Sequence, residues 1–192
     1  MSVEDVMAVA RRDTTFYSES GGGVTFGGGE ATLQKDFLLD LLRACQAEAL
    51  HTCLETCGFC DWSTLEQALP LLDLVLLDLK HMDPEVHLQL TGVSNARILD
   101  NAARLGAHDL KVILRLPLIP GLNDSNENIQ ALGRFAAEHG FQTINVIPYH
   151  LLGVSKYAAL GRPYLVEDRR AGSSSEKAAD TLASYGLQVS II

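Results

Sequence analysis

Apolar positions along the chain alternate between a helical and a strand period. Residues 2–12, "SVEDVMAVARR", open with Ser2-x-x-Asp5, a capping-box pattern, and continue with helical apolar spacing. "GGGVTFGGGE" predicts a short strand between two glycine triplets. In "QKDFLLDLLRACQAEAL" the residues Phe37, Leu38, Leu41, Leu42, Cys45 and Ala49 fall on one helical face. "HTCLET" reads as a strand, and "WSTLEQALPLL" as a helix with Pro70 near its end. "DLVLLDLK" is almost wholly apolar, as expected of a strand buried on both faces. Helical stretches follow around Pro84–Leu90 and Asn95–Leu105, then the strand "KVILRLPLIPG". "NDSNENIQALGRFAAEHG" predicts a helix with Asp124-x-x-Glu127 at its start and Gly140 past its end. "TINVIPY" is a further strand, "RRAGSSSEK" a surface loop, and "AADTLASYG" and "LQVSII" a last helix and strand.

Strands alternating with helices imply right-handed crossovers and a parallel sheet. The expected fold class is α/β, either a doubly wound sheet or a full or partial (β/α) barrel. No repeat, low-complexity tract or boundary interrupts residues 1–192, which read as a single domain.

The strands end in residues an apolar strand does not need. The first runs into Gly28, Gly29 and Glu30, and the second reaches Glu55 and Thr56. The third ends in Asp78 and Lys80, which alternation places on one face. The fourth carries Arg115 before Pro117, and the fifth is followed by His150. In parallel α/β architectures the C-terminal strand ends open onto one mouth, where barrel enzymes keep their sites. Mixed charge there suits a zwitterion: carboxylates and carbonyls meet an ammonium while Lys or Arg meets a carboxylate.

Composition excludes several classes. A formal net charge of −9 argues against a nucleic-acid partner. No apolar run approaches the roughly 20 residues that span a bilayer, and the N-terminus lacks the apolar core of a signal peptide. The 4 cysteines then read as thiols or ligands in a reducing, cytoplasmic compartment. The glycine triplets fit neither G-x-G-x-x-G, since Phe26 stands where the third glycine is needed, nor a Walker loop, since Glu30 follows the glycines. His51, His87, His108 and His139 show no zinc spacing and read as packed or surface histidines.

The segments "FYSESGGGVTFGGGEATLQ", "HTCLETCGF", "LVLLDLKHMD", "LTGVSNARILDN", "VILRLPLIPGLNDSNENI" and "INVIPYHLLGVSKYAALGRPY" resemble, in order, the glycyl radical enzyme activating enzymes, of which pyruvate formate-lyase activase is the type. The resemblance runs from about residue 1 to residue 164, leaving a C-terminal extension of about 165–192. It implies a partial (β/α) barrel of the radical S-adenosylmethionine (SAM) kind. It also implies that a reduced [4Fe-4S] cluster cleaves SAM to a 5′-deoxyadenosyl radical, which takes a hydrogen from a glycine of a partner enzyme. On that resemblance Gly28, Gly29 and Glu30 hold the SAM amino group, and Glu55, Thr56 and Asp78 serve SAM and a nearby monovalent cation. Lys80, His81, Met82 and Asp83 match the stretch at the methionyl end, and Arg115 and His150 face the cofactor. Two departures stand out: Glu55 where Asp is frequent, and Ala31 where Pro is common. The implied partners are a glycyl radical enzyme, SAM and an electron donor such as flavodoxin.

"CLETCGFC" has the Cys-x-x-x-Cys-x-x-Cys spacing by which radical SAM enzymes hold a cluster. The family places that loop before Gly-Gly-Glu, whereas Cys53, Cys57 and Cys60 come after it. Along an extended strand Cys53 and Cys57 lie roughly 13 Å apart, too far for one cluster loop. The triplet is therefore expected to be a decoy, with no metal ligand here. The barrel's first strand and cluster loop are expected to be missing, the [4Fe-4S] cluster to belong to the full-length protein only, and this part to be inactive alone. The strand edge left unpaired favours self-association. The competing readings are a non-catalytic paralogue that binds SAM or a partner, and an unrelated barrel lyase using Lys80 as a Schiff-base amine. The adjacent Asp78 stabilises the ammonium and works against the latter.

Overall fold

The computed structural model describes residues 1–164, 166 and 174–192. Its strands are β1 (Gly23–Phe26), β2 (His51–Thr56), β3 (Leu74–Asp78), β4 (Lys111–Leu118), β5 (Thr143–Pro148) and β6 (Gln188–Ile191), ordered β1-β2-β3-β4-β5-β6 in one six-stranded sheet. The helices are α1 (Val3–Ala10), α2 (Thr14–Ser20), α3 (Lys35–Ala47), α4 (Trp62–Ala68), α5 (Pro84–Thr91), α6 (Ala96–Gly106), α7 (Asn126–Glu138), α8 (Val154–Ala159) and α9 (Ser174–Ala183). The α/β class and the alternation read from the sequence are thus observed.

The chain forms two compact units. The first comprises Met1–Asp78 and Ala96–Ile113, the second Leu79–Asn95 and Leu114–Ile192. In the first, β1 pairs with β2 and β2 with β3, both parallel, with Phe26 opposite Leu54 and Thr56 opposite Leu77. Leu42, Leu54, Leu65, Val75, Leu77 and Leu105 are fully buried there. Removing such side chains from water is the main force holding a layer of this kind together. Met7 of α1 meets Cys45 of α3, sulfur to sulfur at 3.7 Å. In the second unit β5 pairs in parallel with β6, Ile144 opposite Val189, and Leu116, Leu132, Ile144, Val146 and Leu182 are buried. At Gly133 of α7 a Cβ would collide with the Tyr185 ring, so only glycine lets that ring approach.

The structure corrects several local expectations. Ala49 is not on the buried face of α3: the helix ends at Ala47, and Ala49 takes φ 52 and is exposed. The Ala49 amide bonds the Gln46 carbonyl at 3.1 Å and the Leu50 amide bonds the Cys45 carbonyl at 3.0 Å. This is a Schellman close with alanine in the position where glycine is usual, so no glycine announces the helix end. Helix α7 starts one residue later than Asp124-x-x-Glu127 implies. Ser125 is its cap, accepting from the Asn128 amide at 3.2 Å, while Asp124 accepts from the Gly121 amide at 2.6 Å. Lys80 lies past β3, which ends at Asp78. Of the predicted loop "RRAGSSSEK", residues 169–173 lie outside the described residues, and Ser174–Lys177 are the first turn of α9. No described helix is long and apolar enough to cross a membrane.

Candidate functional site

In the first unit the chain leaves β1 through Gly27–Glu30. Gly28 holds φ 110, a conformation closed to most side chains, and a Cβ at Gly28 or Gly29 would meet nothing within 4 Å. The backbone is therefore bare and open to approach. Gly27 lies against Glu55, whose side chain a Cβ there would meet at 3.5 Å.

Glu30 ends this turn and caps the 3₁₀ turn Ala31–Gln34. Its Oε1 accepts from the Thr32 amide at 3.3 Å, the Thr32 hydroxyl at 2.8 Å and the Thr56 hydroxyl at 2.8 Å. Its Oε2 accepts from the Cys57 amide at 2.9 Å. Burial pushes this carboxyl's pKa up, but the Cys57 amide and thiol, with the Thr32 and Thr56 hydroxyls, outweigh it and hold the pKa below the ordinary value. Glu30 is thus a charged, half-buried clasp between the ends of β1 and β2. Thr56 also accepts from the Gly58 amide at 3.0 Å. Asn101 of α6 donates to the Gly58 carbonyl at 2.8 Å and the Cys60 carbonyl at 2.9 Å. Asp78 stands at the end of β3, one residue past the Thr56–Leu77 pair.

The cysteines lie on this loop and the strand before it. Cys53 is 5% exposed inside β2, Cys57 follows the strand, and Cys60 is buried. Burial pushes the Cys60 thiol up to about 11, opposed by the Thr32 hydroxyl. Among the described residues no group of three or more His, Cys, Asp or Glu side chains could hold a metal ion.

In the second unit Lys80, His81, Met82 and Asp83 form one loop, held by carboxamides. Asn123 donates to the Lys80 carbonyl at 2.9 Å and the Pro117 carbonyl at 2.8 Å, and accepts from the Ile119 amide at 2.7 Å. Asn95 donates to the carbonyls of His81 at 3.0 Å and Met82 at 2.8 Å. Asn128 accepts from the Met82 amide at 2.8 Å and donates to the Asn123 carbonyl at 2.7 Å. The Leu79 amide donates to the Arg115 carbonyl at 2.9 Å. Asp83 caps α5, and the Val86 amide, ahead of the Glu85 amide, holds its pKa below the usual carboxylate value. The His81 ring accepts from the Asp83 amide at 3.0 Å, and burial lowers its pKa, so the imidazole stays neutral. His150 turns back to accept from the Leu152 amide at 3.3 Å.

Of the predicted residues, Glu30 and Thr56 are therefore bonded to each other, Glu55 lies beside Gly27, and Lys80 to Asp83 share one loop. His87 is buried, with Nδ1 2.8 Å from the Val93 carbonyl. His139 packs on Phe135 at 4.5 Å between ring centroids, and His108 faces Trp62 at 5.8 Å. Sequence reasoning missed Thr32, Asn95, Asn101, Asn123 and Asn128. For Asn101 and Asn128 a signal existed: each falls on the buried face of its helix, beside Ala102 and Ile129, where an unpaired carboxamide would be costly.

These features can be set beside known proteins. The model of the Radical SAM superfamily matches residues 1–132, and the chain belongs to that superfamily. Within it, the chain is similar to activating enzymes of glycyl radical enzymes. It is 40% identical over 189 residues to the (2S)-3-sulfopropanediol dehydratase activating enzyme of Klebsiella oxytoca, covering 96% of this chain and 60% of that protein. It is 39% identical over 194 residues to pyruvate formate-lyase 1-activating enzyme of Escherichia coli K12, covering 98% of this chain and 79% of that one. A solved domain of the pyruvate-formate lyase-activating enzyme from Bacteroides vulgatus superposes with TM-score 0.76 at 31% identity, covering 89% of this chain and 99% of that one. The chain spans 52% to 64% of the length of the sulfopropanediol, isethionate and choline activating enzymes it matches. The expected radical SAM fold and activase kinship are thereby shown.

Proposed function

We propose that these 192 residues are the SAM-binding part of a radical SAM activase that generates a glycyl radical on a partner enzyme. One observation carries the reading: the charged Glu30 clasp, next to bare backbone at Gly28 and Gly29, in a chain 39% identical to a formate-lyase activating enzyme. The open backbone fits a ligand amino group, which needs acceptors at close range. Gly28, Gly29 and Glu30 bind that group. Glu55, Thr56 and Asp78 serve the ligand and a monovalent cation, and Lys80, His81, Met82, Asp83, Arg115 and His150 serve the methionyl carboxylate and the rest of SAM.

In this family bound SAM and a [4Fe-4S] cluster supply reductive bond cleavage. Cys53, Cys57 and Cys60 do not fit the cluster: Cys53 lies inside β2, and among the described residues no group of three or more His, Cys, Asp or Glu side chains could hold a metal ion. The residues of this chain therefore bind and orient, and without a cluster they are inert. The partners are a glycyl radical enzyme and an electron donor of the flavodoxin kind.

Titration calorimetry of the chain with SAM tests this. The expected result is one binding event, weakened about tenfold, or ~1.4 kcal/mol, by Lys80→Ala and by Glu30→Ala. Anaerobic reconstitution with iron and sulfide is expected to leave no stoichiometric cluster. A cluster lost on substituting any of Cys53, Cys57 or Cys60 overturns the decoy assignment. SAM binding indifferent to both Lys80 and Glu30 overturns the binding assignment.

A further inference from the structure

Cys57-Gly58-Phe59-Cys60 is a Cys-x-x-Cys segment between a parallel strand, β2, and a helix, α4, and the binding role proposed above gives its thiols no task. That spacing in such a strand–loop–helix setting is the arrangement of dithiol redox sites. The two sulfurs each meet one member of a bonded pair of side chains. The Cys57 thiol hydrogen-bonds the Glu30 carboxylate, and the Thr32 hydroxyl interacts with Cys60. Glu30 and Thr32 are themselves joined, Oγ1 to Oε1, at 2.8 Å. Asn101 curls the loop by holding the Gly58 and Cys60 carbonyls on a single nitrogen. Gly58 supplies φ 72, which a Cβ-bearing residue resists. Cys57 is half-buried, whereas Cys45, Cys53 and Cys60 are buried.

We propose that Cys57 and Cys60 form a redox-active dithiol, a modification site that closes to a disulfide by exchange with a small disulfide of the glutathione class. The chemistry balances. The half-exposed Cys57 thiolate attacks a glutathione disulfide sulfur, expelling one glutathione thiolate and leaving a mixed disulfide. Cys60 then attacks the Cys57 sulfur, the mixed bond breaks, and a second glutathione leaves. The two protein thiols are oxidised, glutathione disulfide is reduced to two glutathiones, and the thiol protons end on those products. Closure removes the thiol donor from Glu30 and draws Cys60 off Thr32, so the bridge loosens the clasp between the β1 and β2 ends. Exchange runs through thiolates, so it is expected to quicken as pH rises.

The test is independent of SAM. The whole chain is equilibrated in glutathione buffers of rising disulfide fraction, quenched by alkylation in denaturant, digested and read by mass spectrometry. The expected result is a loss of two hydrogens, a linked Cys57–Cys60 peptide, and full alkylation of Cys45 and Cys53. Fluorescence of Trp62, the sole tryptophan and two residues past Cys60, is expected to shift in step with the bridge. Cys57→Ser and Cys60→Ala each abolish both signals, and Cys53→Ser leaves them intact. A bridge that includes Cys53, a persistent glutathione adduct on Cys57, or a fully reduced protein in excess glutathione disulfide overturns the proposal. Because the wild-type chain carries the main readout, a variant that fails to fold does not blunt it.

Discussion

The loop after β2 and the loop after β3 are both pinned by buried or half-buried polar side chains, but by different chemical groups. After β2 a carboxylate does most of the holding: Glu30 accepts from Thr32, Thr56 and Cys57. After β3 the holders are carboxamides: Asn95, Asn123 and Asn128 fix the backbone of Lys80, His81 and Met82. A carboxylate can only accept, so it gathers amides and hydroxyls and its grip depends on its charge. A carboxamide both donates and accepts, so it can satisfy carbonyls and amides at any pH. The β2 loop is therefore sensitive to protons and to thiol chemistry, while the β3 loop is set like a fixed frame around Lys80.

Breaking the fixed frame is expected to cost most. Asn123 is 3% exposed and joins three backbone groups. Asn123→Ala strands the Ile119 amide and the Lys80 and Pro117 carbonyls, and is expected to destabilise the chain by about 3 kcal/mol in urea unfolding. A loss under about 1 kcal/mol would mean that water replaces the carboxamide, and that the frame is not rigid.

Asn101 is the carboxamide that belongs to the other loop, and it sharpens the contrast. It holds the Gly58 and Cys60 carbonyls from a site 1% exposed. Asn101→Ala is expected to cost about 2 kcal/mol, less than Asn123 because fewer groups are stranded. The loss should not vary between pH 5 and 8, since no charge is removed.

Glu30→Gln tests the carboxylate half of the comparison. The glutamine keeps one acceptor but turns an NH₂ toward donors, and the expected loss near neutral pH is about 1.5 kcal/mol after allowing for half-exposure. The sign of the pH effect follows from the depressed pKa of Glu30. Its contribution is complete above the unfolded carboxyl value of about 4.3 and disappears as pH falls through the lower folded value. The variant should therefore show a shallower loss of stability in acid than the wild type, by urea unfolding at stepped pH. Equal slopes would mean that Glu30 is not the charged clasp.

How much of this could be read from the residues differs between the loops. The strands and the long helices were legible because their periods are strong: "DLVLLDLK" and "KVILRLPL" become β3 and β4. Glu30 and Thr56 were legible as polar residues at apolar strand ends. That they bond each other was not, because nothing local links residues 26 positions apart. The carboxamides were harder. Asn95 and Asn123 look like ordinary loop asparagines, and their partners are backbone groups, which a sequence does not distinguish. Asn101 and Asn128 left a trace as polar residues on buried helix faces. Local ends were also obscured where two residues compete for one role, as Asp124 and Ser125 do.

That competition gives the smallest expected effect. Ser125 caps α7 through the Asn128 amide, and Asn128 is the residue that holds Met82. Asp124 bonds instead to Gly121 and lies outside the cap. Ser125→Ala is expected to cost about 1 kcal/mol, because one amide at the helix start loses its acceptor. Ser125→Asp should restore it, since Asp accepts as well at that position and its charge suits the helix N-terminus. Amide exchange at Met82 should quicken in Ser125→Ala, because the cap positions the turn from which the Asn128 side chain reaches it. If Asp124→Ala costs more helix stability than Ser125→Ala, the cap is Asp124 after all, and the carboxamide frame is anchored one residue earlier than the hydrogen bonds place it.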